Sequence, residues 1–187
     1  LTGVRLRLSI YGGEKADEEA QMERQLGKLR GIIGEYIYAE EDTTLENVIG
    51  KILLASGKTL SAAESCTGGM VSHLITSVAG CSSYYLGSVT SYANEVKENV
   101  LGVPAEISSR YGAVSSECVA RMAEGVRRIT GSDYSVATSG IAGPGGGTQD
   151  KPVGLVWIGV STPHTTETYK VVFHNDRKRN IERFAAS

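Results

Sequence analysis

The stretch Ala63-Glu64-Ser65-Cys66-Thr67-Gly68-Gly69 constrains this chain more than any other. A short apolar run ends at Ala62-Ala63, and Met70, Val71, Leu74, Ile75 and Val78 then follow with the period of a helix. Strand, tight turn and helix start succeed one another within a few residues. That geometry exposes a side chain at the turn and aims backbone N–H groups at one point in space. Ser65 is the leading nucleophile candidate, and the rest of the chain is read for a base, an anion site and a substrate to serve it.

The flanking pattern repeats the alternation. Thr43 with Glu46 reads as a capping box ahead of an apolar face of Leu45, Val48, Ile49, Ile52 and Leu53, ending near Ser56-Gly57. Gly57-Lys58-Thr59 is not a phosphate-binding P-loop: Ile52 stands where the first glycine belongs, and the helix precedes the strand. Strands are expected at Thr59–Ala63, Leu86–Ser91, Tyr134–Thr138, Gly154–Val160 and Thr168–Phe173. A short helix carries Lys97, a second runs from its Ser115 cap to Gly131, and a last begins at Arg177. These elements predict a three-layer α/β domain with a mixed, mostly parallel sheet; the last two strands have no helix between them, which calls for an antiparallel neighbour.

The first 42 residues read differently. Val4, Leu6, Leu8 and Ile10 alternate with polar residues as a half-buried strand. Lys15 to Leu29 reads as a helix with Ala16, Ala20, Leu26, Leu29 and Ile33 inward, and Tyr36-Ile37-Tyr38 as another short strand. Such an α+β piece cannot bury much core alone. Gly31-Ile32-Ile33-Gly34 matches the loop of nucleic-acid-binding KH modules, although a glycine ending a helix accounts for it more simply. Leu1 is no initiator and the C-terminus breaks off in a helical pattern, so the chain reads as part of a longer one.

Composition narrows the function classes. The formal net charge of −2 over 187 residues argues against broad nucleic-acid binding. No apolar run approaches the roughly 20 residues of a membrane span. The three widely spaced cysteines Cys66, Cys81 and Cys118 suit a reducing cytoplasm better than a disulfide framework. No CxxC, HxxxH or HExxH spacing marks a metal site, and no cofactor is called for.

A serine needs a base. His73, His164 and His174 are poorly placed for a Ser-His-Asp triad. Lys97 with Tyr92 is the better pair, because burial can lower a lysine's pKa and a tyrosine hydroxyl can relay a proton or donate to an oxyanion. Spacing alone leaves a surface lysine and a core ring equally open. Ser139-Gly140-Ile141-Ala142-Gly143-Pro144-Gly145-Gly146-Gly147 is either a phosphate nest of backbone N–H groups or a surface loop. Arg177, Arg179 and Arg183 are candidate phosphate partners, though a solvated helix face accounts for them more simply.

Four stretches taken together resemble one family: Glu64-Ser65-Cys66-Thr67-Gly68-Gly69, Ser91-Tyr92-x-Asn94-x-x-Lys97, Ser139 to Gly146, and Lys151-Pro152-Val153-Gly154-x-Val156. The chain from about Thr43 resembles the C-terminal domain of the CinA (competence/damage-inducible) family, also known as nicotinamide-nucleotide amidase. The resemblance implies a three-layer α/β/α sandwich over 43–187, preceded by part of a KH-like α+β linker domain over 1–42. It implies hydrolysis of nicotinamide mononucleotide to nicotinic acid mononucleotide and ammonia, in a homodimer, with a large ADP-ribose pyrophosphatase domain lying outside this chain. The family's nucleophile falls on Ser65, its tyrosine on Tyr92 and its lysine on Lys97. Around them Glu64, Thr67, Gly68, Gly69, Asn94, Ser139, Gly140, Gly143, Gly145, Gly146, Arg177 and Arg179 are expected to hold substrate or phosphate, with oxyanion donors at Thr67–Gly69 and Glu64 facing the pyridinium. The alternative is a non-catalytic, nucleotide-binding regulatory domain of a larger CinA-type pyrophosphatase.

Overall fold

The computed structural model describes residues 3–187. Its centre is a five-stranded sheet in the order β2-β1-β3-β4-β5. The strands are β1 (Leu60–Glu64), β2 (Tyr85–Thr90), β3 (Tyr134–Gly140), β4 (Leu155–Ser161) and β5 (Thr166–Val172). β1 pairs in parallel with both β2 and β3, whereas β3–β4 and β4–β5 are antiparallel. The sheet is therefore mixed, as expected, with two parallel and two antiparallel pairings. The β3–β4 link contains no helix and β4 leads to β5 through a tight turn in which Thr162 N donates to Thr165 O, so neither can make a parallel crossover.

Handedness fixes the layers. The step from β1 to β2 crosses over through α3 (Met70–Thr76). The step from β2 back past β1 to β3 runs the opposite way, through α4 (Asn94–Asn99), α5 (Ala105–Tyr111) and α6 (Ser116–Thr130). Parallel crossovers are right-handed, so two that travel in opposite directions must lie on opposite faces. Side-chain alternation agrees with this. Ala63 and Ala137 pack with Leu101, Val119, Met122 and Val126 beneath α6, while neighbouring Ala62 packs with Leu53, Val71 and Ile75 beneath α2 (Leu45–Ser56) and α3. A third cluster, Cys66, Ala142, Val156 and Phe184, seats α7 (Arg177–Ala185). The result is a three-layer α/β/α sandwich.

Helix ends follow their local chemistry. The Ser115 hydroxyl accepts from Cys118 N at 3.2 Å, and Gly131 closes α6 in the left-handed region at φ 70°. The expected capping box at Thr43 is not formed. α2 starts one residue later, with Thr44 as its cap residue, and Asn47 Nδ2 donates to the Thr44 hydroxyl at 2.8 Å. Gly57 ends α2 at φ 62°, and Lys58 binds Asp133 at 2.9 Å, which removes any phosphate-loop role. Asp133 also accepts from Thr59 N and Thr59 Oγ1 at 2.9 Å each, tying the entries of β1 and β3 together.

The N-terminal segment departs from expectation. Neither Val4–Ile10 nor Tyr36–Tyr38 forms a strand, because among the described residues no strand lies beside either to complete a ladder; Tyr36 instead lies in a 3-10 turn, Gly34–Tyr36. The helix does form, as α1 (Lys15–Ile33). Its half-buried stripe is Met22, Leu26, Leu29 and Ile33, while Ala16 and Ala20 are exposed. Gly31 is helical and Gly34 N donates back to Arg30 O, so the Gly-Ile-Ile-Gly stretch is a helix end.

Gly125 shows how closely α6 lies on the chain below. A Cβ added there would collide with the Leu101 carbonyl. In an open helix, glycine to alanine gains about 1 kcal/mol. Here Gly125→Ala is expected to lose roughly 2 kcal/mol, in the range of overpacked cores, read as a lower urea midpoint with an unchanged m-value.

Candidate active site

The carboxyl ends of β1, β2 and β3 meet where the chain leaves the sheet in opposite directions, which is where open α/β sheets hold their ligands. Ser65 follows β1, Ser91 and Tyr92 follow β2, and Ser139-Gly140 end β3. A cleft of about 200 Å³ opens there, lined by Ser65, Cys66, Tyr92, Asn94, Lys97, Ala113, Val114, Ser139, Gly140, Ala142 and Arg177. The three residues expected to carry chemistry, Ser65, Tyr92 and Lys97, are thus together, with Asn94, Ser139, Gly140 and Arg177 beside them. None of the three histidines reaches the cleft.

The turn holding Ser65 is built by Glu64. This carboxylate is fully buried, yet five donors surround it. Oε2 accepts from the Thr67 hydroxyl at 2.7 Å and from Gly69 N and Val71 N at 3.0 Å. Oε1 accepts from Ser72 N at 2.9 Å and the Ser72 hydroxyl at 2.8 Å. A negative charge at a helix start is favoured by the dipole and consumes its orphan N–H groups. Ser72 also meets Tyr85 Oη at 2.7 Å and Ser88 Oγ at 2.6 Å, so a hydroxyl cluster supports the carboxylate from β2.

That network corrects two expectations. Glu64 does not line the cleft and so does not face a substrate ring. The N–H of Gly69 is committed to Glu64 and that of Gly68 to Ser65 O at 3.2 Å, so neither is a free oxyanion donor. The N–H groups of Cys66 and Thr67 make no backbone hydrogen bond. Gly68 and Gly69 serve the turn instead, with φ of 60° and 104°. Thr67 points inward, its hydroxyl between Glu64 and the Thr138 hydroxyl at 2.7 Å.

Lys97 is 1% exposed and has no carboxylate partner. Its Nζ donates to Ser91 O at 2.7 Å and Tyr92 O at 3.1 Å. Burial lowers its pKa, while the neighbouring thiols of Cys118 and Cys66 oppose that shift. Burial pushes the Cys66 thiol up to about 12, so it stays protonated beside Ser65 and forms no rival thiolate. Tyr92, 64% exposed, stands at the mouth. Arg177 Nη2 donates to its hydroxyl at 3.4 Å, and Nη1 donates to Gly143 O at 2.7 Å. Arg177 thereby joins the glycine loop to Tyr92 across the opening.

Other expected residues lie elsewhere. Gly143, Gly145 and Gly146 do not line the cleft. Arg179 lies outside the cleft: its backbone N–H donates to Asp176 Oδ1 at 3.0 Å in the α7 cap, and its guanidinium Nε lies 3.7 Å from Asp176 Oδ2. Sequence reasoning passed over Ser72, Tyr85 and Ser88, which carry no motif of their own. It also assigned no role to Ala113 and Val114, whose place in the cleft wall depends on the turn between α5 and α6. Among the described residues no group of three or more His, Cys, Asp or Glu side chains could hold a metal ion, and no helix is long and apolar enough to cross a membrane.

A family model described as the CinA C-terminal domain matches residues 42–187. A CinA-like protein of Cytophaga hutchinsonii is 45% identical over 178 residues, which is 95% of this chain and 43% of that protein. A CinA-like protein of Salinibacter ruber is 44% identical over 186 residues, covering 100% of this chain and 45% of that protein. The chain spans less than half the length of these curated relatives. Among solved structures, the competence damage-inducible protein A of Klebsiella pneumoniae superposes with a TM-score of 0.73 at 35% identity, over 75% of this chain and 88% of that one. The competence/damage inducible protein CihA of Agrobacterium tumefaciens gives 0.74 at 32% identity, over 76% and 87%.

Lys97 ties stability to pH. Its folded pKa lies below the ordinary 10.5, so the unfolded chain binds the proton more tightly. Stability rises with pH between the lowered value and 10.5, and falls in the reverse direction. Lys97→Met is expected to be more stable than the parent at neutral pH, with the margin shrinking toward pH 10.5, as urea titrations at several pH values would show.

Proposed function

Because the chain belongs to the CinA family, we propose that its cleft hydrolyses the carboxamide of a pyridine mononucleotide, nicotinamide mononucleotide, through Ser65. The observation that carries this reading is a buried lysine without an acidic partner opening on the same cleft as an unengaged serine hydroxyl. A lysine that only bound an anion gains nothing from losing its charge; a lysine that acts as a base does.

Lys97, neutral at the moment of attack, accepts the Ser65 proton. Ser65 Oγ bonds to the carboxamide carbon, and the carbonyl oxygen takes up negative charge. The N–H groups of Cys66 and Thr67 face that charge, the first as the residue following the nucleophile. Lys97 returns the proton to the departing nitrogen, and ammonia leaves. Water, deprotonated by the same amine, releases nicotinic acid mononucleotide and restores Ser65. Tyr92 closes the mouth and orients the ring. Arg177, holding only a carbonyl and a phenol, is the cation for the phosphate. Residues 1–42 as part of a KH-like linker, and pairing of two copies, belong to the same proposal.

Ammonia release from nicotinamide mononucleotide is the direct test. Ser65→Ala is expected to lower turnover by about 10³-fold or more, and Lys97→Ala by about 10²–10⁴-fold. Parent turnover should rise with pH through the lowered Lys97 value, since the neutral amine is the base. Nucleotide binding without turnover in the parent would instead favour a non-catalytic binding domain, and turnover surviving Ser65→Ala would remove the nucleophile.

A further inference from the structure

A second cleft, of about 230 Å³, lies beside the first and none of the chemistry above uses it. Val114 borders both. The β3–β4 loop also joins them: it begins at Gly140 and Ala142 in the first cleft and ends at Asp150 and Lys151 in the second. The second cleft has its own chemistry. Trp157, half-buried on β4, presents the only indole in the chain. Lys170, exposed on β5, lays its ammonium over that ring, 6.0 Å from its centre. Lys151 Nζ donates to Tyr111 O at 2.5 Å, which fixes a second cation at the rim. Glu117 and Asp150 add two carboxylates, and neither makes an ion pair among the described residues.

An aromatic face, two cations and two unpaired carboxylates in one concavity meet three separate needs. The indole stacks a flat heteroaromatic base when the exposed Lys170 side chain swings from the ring to the phosphate. The ammonium groups bind a phosphate. The carboxylates accept from ribose hydroxyls or an exocyclic amine. A simple anion site would have no use for the carboxylates, and a purely apolar ligand none for the lysines.

We infer that the Trp157 cleft is a second nucleotide site that takes a purine nucleoside monophosphate, with the base on Trp157 and the phosphate between Lys151 and Lys170. The site stands on its own residues and is independent of amide hydrolysis at Ser65. Occupation of both clefts brings two ligands against the two sides of Val114.

The single tryptophan makes the test direct. Indole fluorescence of the parent chain is titrated with AMP, with adenosine and with inorganic phosphate. A saturable submillimolar change with AMP, at least about tenfold weaker for either fragment, is expected from one base contact plus one charged contact. Lys170→Gln should weaken AMP by about tenfold or more while ammonia release from nicotinamide mononucleotide stays unchanged. Asp150→Asn, which keeps shape and loses charge, should weaken AMP more than it weakens phosphate. Ser65→Ala should bind AMP like the parent, and this holds whether or not the chain is an amidase. No saturable response to AMP, an equal response to adenosine, or an AMP response untouched by Lys170→Gln would overturn the inference.

Discussion

The buried Glu64 carboxylate is the constraint on which the rest of the site depends. A carboxylate taken out of water is costly unless its lone pairs are filled. Here two hydroxyl and three backbone donors fill them. Those donors are the opening of α3, so the cost of burying the charge is offset by ending a helix that would otherwise start with unpaired N–H groups in the interior. Strand end, turn and helix start are thereby locked as one unit, and Ser65 rides on it with its hydroxyl on the other side. Glu64, the residue beside Ser65, therefore acts on the backbone and does not line the cleft.

The sheet topology completes what Glu64 begins. β1 lies between two parallel neighbours, so its carboxyl end faces the ends of β2 and β3 at once. Lys97 reaches this point from the helix after β2, and the carbonyls of Ser91 and Tyr92 hold its amine without neutralising it through an acid. α7 closes the arrangement: Asn180 Nδ2 donates to Ala142 O at 3.1 Å and to Asn175 O at 2.9 Å, which keeps the glycine-rich loop against the cleft.

The periodic segments of the domain were legible because each pattern had a partner to bury against. β1 to β5 and α6 lie within one or two residues of the spans read from alternation and helical period. The Val4–Ile10 alternation is equally clear, yet it forms no strand, since alternation states which face wants burial and not what supplies the neighbouring ladder. The convergence of Ser65, Tyr92 and Lys97 was reached through the joint resemblance of four stretches; spacing alone left Lys97 open. Glu64 shows what spacing hides. A carboxylate next to a candidate nucleophile looks like a site residue in one dimension, and only the fold shows its oxygens turned toward α3. The hydroxyls of Ser72, Tyr85 and Ser88 were illegible for the same reason, being gathered from two elements that periodicity treats separately.

Val114 sits where the two clefts adjoin, on the short connection between α5 and α6 and outside every strand. It belongs to neither the sheet nor the hydrogen bonds that hold Glu64 and Lys97. The wall between the two clefts thus lies in a part of the chain separate from Ser65, Tyr92 and Lys97. A change at this one loop position alters the partition between the clefts and leaves the residues at the ends of β1 and β2 in place.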